Sequence, residues 1–156
     1  MTSIEQIKQF ETGKKMIYLA SPHSHTESSV RQDRYQEALE CTSWLIENGF
    51  WVFSPIVHDH NLPCNREGNI NWEFWKELDS EMVKRMDEVW VLQILEATRY
   101  SKGVKAELEL AKKLGKKIVS IWKNPSIIRN AIQNITLSEY NVYEVTNWEV
   151  DKILGC

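Results

Sequence analysis

Cysteine is scarce in this chain of 156 residues: Cys41, Cys64 and Cys156 are odd in number and scattered. That pattern excludes a disulfide framework. Six glycines and four prolines are too few for a collagen-like, linker or low-complexity segment, and no internal repeat is present. No apolar run approaches the roughly 20 residues of a membrane-spanning helix. The opening MTSIEQIKQFETGKK is too polar for a secretory signal. Nor is there an excess of positive charge: 19 Lys and Arg against 22 Asp and Glu give a net −3, so no general basic surface awaits a nucleic acid. A soluble cytoplasmic protein is expected, with neither a nucleic-acid polymer nor a membrane as partner. What remains is ordinary globular material, 42% hydrophobic and 26% charged, of a length that suits one domain. The seven tryptophans are a heavy load for that length and are expected to enlarge the core.

Periodicity divides the chain into a polar arm (1–15) and one domain (16–156). MIYLA (16–20) has buried-strand length, and the turn-rich SPHSHTES follows it. A helical pattern runs from Ser29 to Asn48, with Gly49 as its stop signal. Trp51–Ser54 reads as a strand closed by Pro55, and 58–69 as a long polar loop. Asn71 is placed to cap a helix reaching Met86. Further strands are expected at 89–93, 117–122 and 142–145, with helices starting near Gly103, over 125–134 and over 148–154. Buried strands alternating with helices predict an α/β fold: a mainly parallel, roughly five-stranded sheet sandwiched by helices. Ligands of such sheets bind beyond the carboxyl ends of the strands. That rule gathers the loops after Ala20, Ser54 and Gln93 on one edge.

Two carboxylates sit where the helical period wants apolar side chains. At about 100° per residue, Val104, Leu108, Leu110, Ala111 and Leu114 share one face, and Glu107 falls within it. On the helix before the third strand, Trp72, Trp75, Leu78, Met82, Val83 and Met86 share a face that contains Asp79. A carboxylate aimed at a core carries a desolvation penalty of several kcal/mol unless something compensates. A structural pair with Arg31 or Arg34 would account for either acid alone; two acids facing one cleft favour a functional site. Neighbouring carboxylates in a partly dry cleft titrate apart, so that one ionises while another keeps a proton. Ser101-Lys102-Gly103 precedes the Glu107 helix. An anion is favoured at such an N-terminus by free backbone N–H groups and the helix dipole.

Tyr18-Leu-Ala-Ser-Pro after the first strand, Asp79 eight residues before Asp87, and Ser101-x-Gly103-Val-x-x-Glu107-Leu resemble the nucleoside 2-deoxyribosyltransferase superfamily. The serine-glycine form is similar to its branch that hydrolyses nucleoside 5′-monophosphates. FSPIVHDH (53–60) and NWEFWKELD (71–79) resemble a related bacterial and phage family. The resemblance spans about residues 16–122 and implies a Rossmann- or flavodoxin-like fold. It implies Glu107 as nucleophile, Tyr18 as the group that orients it, and Asp79 as the residue that addresses the base. Ser101 and Gly103 would hold the 5′-phosphate. Transferases acting on free nucleosides usually carry an aspartate where Ser101 stands, which argues against a free 5′-hydroxyl. Ser21 replaces the usual glycine after the first strand. A homodimer or larger assembly is also implied, with a neighbouring subunit helping to close the cleft.

Other polar residues have more than one reading. His58, Asp59, His60 and Cys64 match no standard zinc spacing, so no metal is expected; their loop lines the base pocket or covers it. His58 and His60, with Ser21 and His23 from the first loop, are candidate substrate contacts. Arg31 and Arg34 open the first long helix, to bind phosphate or to pair with Asp79 or Glu37. Trp72 and Trp75 read as core rather than as stacking platforms, and Phe74 as a subunit contact. Three functions fit: hydrolysis of a (deoxy)ribonucleoside 5′-monophosphate, base exchange, or nucleotide binding without catalysis on the same fold. None requires an organic cofactor.

Overall fold

The computed structural model describes residues 15–65, 72–125 and 139–153. The expected polar arm, the cap at Asn71 and nearly all of the expected helix over 125–134 lie outside them. Eleven elements follow in order: β1 (Met16–Ala20), α1 (Ser28–Glu47), β2 (Trp51–Phe53), α2 (Pro55–Asp59), α3 (Trp72–Arg85), β3 (Glu88–Leu92), α4 (Leu95–Tyr100), α5 (Lys102–Lys113), β4 (Lys117–Lys123), β5 (Tyr140–Val145) and α6 (Asn147–Ile153). The strands form one five-stranded sheet in the order β2-β1-β3-β4-β5. The first four run parallel, with Tyr18 beside Phe53 on one neighbour and Val89 on the other. β5 returns antiparallel along β4.

The period-two alternation of the strands sends side chains into two cores. Tyr18, Ala20, Val89 and Val91 meet Val83 and Met86 at the end of α3 and Val104, Leu108 and Ala111 of α5. Ile17, Leu19, Trp90 and Leu92 meet Cys41 and Leu45 of α1 on the opposite face. Burying a side chain of this size contributes about 1.5–3 kcal/mol, so losing either face would unfold the domain. The expected stop at Gly49 (φ 92°) is real, and Gly115 (φ 69°) likewise adopts left-handed backbone after α5.

Several expectations need correction. Trp90 is the only tryptophan in the buried core among the described residues, while Trp51 is half exposed on the edge strand. Leu78 and Leu114 point outward rather than into the apolar faces assigned to them; Leu114 is already the C-cap of α5. The loop expected from residue 58 begins with the end of α2, whose N-cap is Ser54, the residue expected to end β2. Pro55 takes the first helical position, where its missing N–H costs nothing. No helix among the described residues is long and apolar enough to cross a membrane.

Candidate active site

The carboxyl ends of β1 and β3 open into one large cleft, reached by Ser21 and His23 after β1, Asp59 and His60 at α2, and Asp79, Ser101 and Glu107. How Glu107 arrives there begins at the end of β3. The buried Thr98 hydroxyl donates to the Leu92 carbonyl (3.1 Å) and accepts from the Ile94 amide (2.8 Å), clamping α4 against the strand it follows. Gln93 Nε2 donates to Ser120 Oγ on β4 (3.2 Å). From α4 the chain turns through Ser101 into α5. Ser101 Oγ accepts from the Val104 amide at 3.2 Å, a standard N-cap. Its own O–H proton remains to be donated, and the first helical N–H groups have no acceptor within the helix.

Glu107 follows one turn later. Its Oε2, Asp79 Oδ1 and Tyr18 Oη are all buried without a hydrogen-bond partner among the protein atoms. An unsatisfied buried polar group costs about 1–3 kcal/mol, and three together are not a folding device. Burial first, then the charge of Asp79, holds Glu107 well above the usual carboxylate range; the Tyr18 hydroxyl pulls the other way. Burial and the charge of Asp59 raise Asp79 to about 7, and His58 opposes the shift. Tyr18 is pushed up by burial and by the charges of Glu107 and Asp79. It lies near enough to Glu107 for each to perturb the other, but outside hydrogen-bond geometry. Both carboxyls therefore keep their protons to higher pH than surface acids do.

Gly103 stands between the Ser101 turn and the carboxylate. A Cβ built there would lie 3.4 Å from Trp72 Nε1 and 3.6 Å from Glu107 Oε1. The protein alone would accommodate a methyl group at that spot, in ordinary contact with both.

The other expected residues divide. Arg31 and Arg34 line the cleft, but the structural pair with Asp79 is not made: an arginine is not among the groups that shift Asp79. Arg31 donates to the carbonyls of His25 and Thr26, and Arg34 to that of Ser24 at 2.7 Å. Both arginines thus shape the loop after β1. Ser21 lines the cleft, its Oγ buried and unpartnered. His60 and His23 line it together. His58 does not; its side chain is half exposed and hydrogen-bonds Asp59. Trp72 and Trp75 are cleft walls rather than core, and Trp75 Nε1 donates to Asn65 Oδ1 (3.2 Å). Asp59 was weighed in the sequence only with its loop and for zinc, and Gln32 and Tyr35 were not singled out. Among the described residues no three His, Cys, Asp or Glu side chains are grouped to hold a metal ion.

Sheet order, crossover helices and a cleft at the carboxyl ends of β1 and β3 make this a mainly parallel α/β protein. Residues 15–124 match the family described as "Domain of unknown function (DUF1937)", and the chain belongs to that family. No curated protein matches it. Among solved structures, BlsM is similar at 14% identity, over 93% of this chain and 90% of that one, with a TM-score of 0.52. A CMP N-glycosidase of Clostridium botulinum, BcmB, shares 18% identity over 90% of this chain and 97% of its own, with a TM-score of 0.46. A conserved protein from Enterococcus faecalis V583 shares 13% over 90% and 86%, with a TM-score of 0.49. At such identities the likeness to BlsM speaks to the fold.

Proposed function

We propose that this protein hydrolyses the N-glycosidic bond of a (deoxy)ribonucleoside 5′-monophosphate, releasing the free base and (deoxy)ribose 5-phosphate. The observation that carries the reading is the convergence of Glu107 Oε2, Asp79 Oδ1 and Tyr18 Oη, buried and unpartnered, beside one cleft. The phosphate sits at the N-terminus of α5, on the Ser101 hydroxyl and the amides around Gly103. C1′ then lies one helical turn away, at Glu107. As the C1′–N bond breaks, its electron pair leaves with the base and the Asp79 carboxyl supplies the proton. Glu107 reacts as its carboxylate, which the positive charge developing on the sugar and donation from Tyr18 stabilise, and one of its oxygens bonds C1′ as the bond to the base breaks. Water then attacks C1′, gives its proton to the Asp79 carboxylate and releases Glu107. A partly dry cleft strengthens each of these attractions.

Ser101, in place of an aspartate, favours water as acceptor and phosphate as handle over base exchange on free nucleosides. The same reading includes a homodimer or larger assembly. The deciding experiment incubates the protein with ribo- and deoxyribonucleoside 5′-monophosphates and looks for free base. Release from nucleotides, absent in Glu107→Gln, is the expected result. Turnover only when a second base is added would mean base exchange, and none with any nucleotide would mean a binding protein.

A further inference from the structure

On the α1 side of the cleft, a chain of hydrogen-bonded side chains has no part in the chemistry above. His23 Nε2 lies 2.7 Å from His60 Nδ1, and His60 Nε2 lies 3.0 Å from Gln32 Oε1. Tyr35 stacks on the His60 ring, centroids 4.2 Å and planes 11° apart. Asn61 Nδ2 in turn donates to the Tyr35 hydroxyl at 3.1 Å. His23 meets His60 edge-on, at 4.9 Å between centroids. With His60 fixed in plane and position, the protons follow by elimination. Gln32 Oε1 can only accept, so His60 Nε2 carries the proton. A neutral imidazole carries one, so His60 Nδ1 accepts and His23 Nε2 donates to it. That leaves His23 Nδ1 with a lone pair. Burial, His60, Arg31 and Arg34 together hold His23 down at about 4, so no second proton arrives at neutral pH. Nδ1 has no hydrogen-bond partner among the described residues, and His23 lines the same cleft as Glu107.

We propose that His23 Nδ1 is a fixed hydrogen-bond acceptor that recognises a neutral donor group, hydroxyl or amino, on the nucleotide seated at Glu107. The inference rests on the nucleotide reading and adds a specificity determinant to it. A phosphate dianion has no proton to offer this lone pair, so His23 reads the sugar or the base and not the phosphate. Two sources of the donor exist: the sugar 2′-hydroxyl, and the exocyclic amine of the base. A site built to accept from such a group rejects the analogue that lacks it, because the acceptor is stranded.

Imidazole nitrogen-15 NMR of the whole protein at neutral pH reads the tautomers without any turnover. Both His23 and His60 should be neutral with the proton on Nε2; an imidazolium at His23, or a proton on its Nδ1, overturns the inference. Adding CMP should then shift the His23 Nδ1 resonance, and a bound nucleotide that leaves it unmoved also overturns the inference. Comparing CMP with dCMP, and CMP with UMP, distinguishes the two sources. The wild-type protein should prefer the donor-bearing member of one pair by at least about tenfold in kcat/KM. His23→Phe should bring that ratio near one. His23→Asn, whose amide oxygen can stand where Nδ1 stood, should keep part of it. Ratios unchanged in a folded His23→Phe defeat the inference and leave hydrolysis standing. A nucleotide that shifts His23 Nδ1 without releasing base defeats hydrolysis and leaves the inference standing. No nucleotide binding at all defeats both.

Discussion

Asp79 and Glu107 bind protons more tightly in the folded chain than in the unfolded one, and that fixes the sign of their effect on stability. For Asp79 the carboxyl rises from about 4 when unfolded to about 7 when folded. Its contribution is full below the unfolded value and is lost as pH rises through the folded value. Three pH units correspond to at most about 4 kcal/mol, reduced because the side chain still meets solvent. Glu107 is raised too and acts with the same sign. Asp79→Asn and Glu107→Gln should therefore melt higher than wild type at pH 8, with the gain fading toward pH 4 in a thermal scan. Glu107→Gln should also release no base. Removing one partner of a buried ion pair has the opposite effect, a loss of about 3–5 kcal/mol. A Glu107→Gln protein that melts well below wild type at pH 8 and still releases base would make Glu107 structural. Both acids were legible in the sequence because each breaks the apolar period of a long helix. Asp59 was not: it ends a five-residue helix, too short to have a face. The His23–His60 pair joins positions 37 residues apart, and no local pattern encodes it.

At the level of elements, α5 separates what the fold needs from what the phosphate needs. Ser101→Ala removes an N-cap, a loss of about 1 kcal/mol of stability, together with the donor proposed for the phosphate. Its melting temperature should fall, and its KM for nucleotide should rise about tenfold or more. Gly103→Ala should act differently. A methyl group there meets only ordinary contacts from Trp72 and Glu107, and alanine gains up to about 1 kcal/mol over glycine in a helix. The variant should melt at or above wild type. Its KM should nevertheless rise, because the methyl group occupies ground where the proposed phosphate would approach the backbone. Unchanged KM in both variants, measured by base release, would remove the phosphate from this turn. Long helices and buried strands were readable because each repeats its own period over several turns or residues. α4 was not, since six residues cannot establish a period; its place depends on Thr98 reaching back to Leu92. Nor do the residues of β5 encode their direction: an edge strand's partial alternation suits either orientation, and only its pairing with β4 shows it to be antiparallel.

On the scale of the whole molecule, the cleft is an open feature on a small domain, and apolar side chains stand exposed near it. Tyr100, one of the cleft residues, is 74% exposed; Phe74 and Leu78, one turn apart on α3, are 56% and 41% exposed. Scattered exposed apolar residues are normal, so three side chains do not establish an interface. They do give the expected assembly a place to be tested. If α3 meets a neighbouring subunit, covering Phe74 and Leu78 contributes roughly 1.5–3 kcal/mol for each side chain fully buried. A lysine at either position would replace that gain with a desolvated charge. Light scattering at micromolar concentration should therefore report a dimer or larger species for the wild type, and Leu78→Lys should shift it toward monomer. Neither residue lines the cleft, so lost base release in a dissociated but folded Leu78→Lys protein would mean the neighbouring subunit completes the site. Retained release in that monomer would confine the chemistry to one chain. A wild-type protein that is monomeric at that concentration would sink the assembly and leave Glu107, Asp79 and Tyr18 to act in an open cleft.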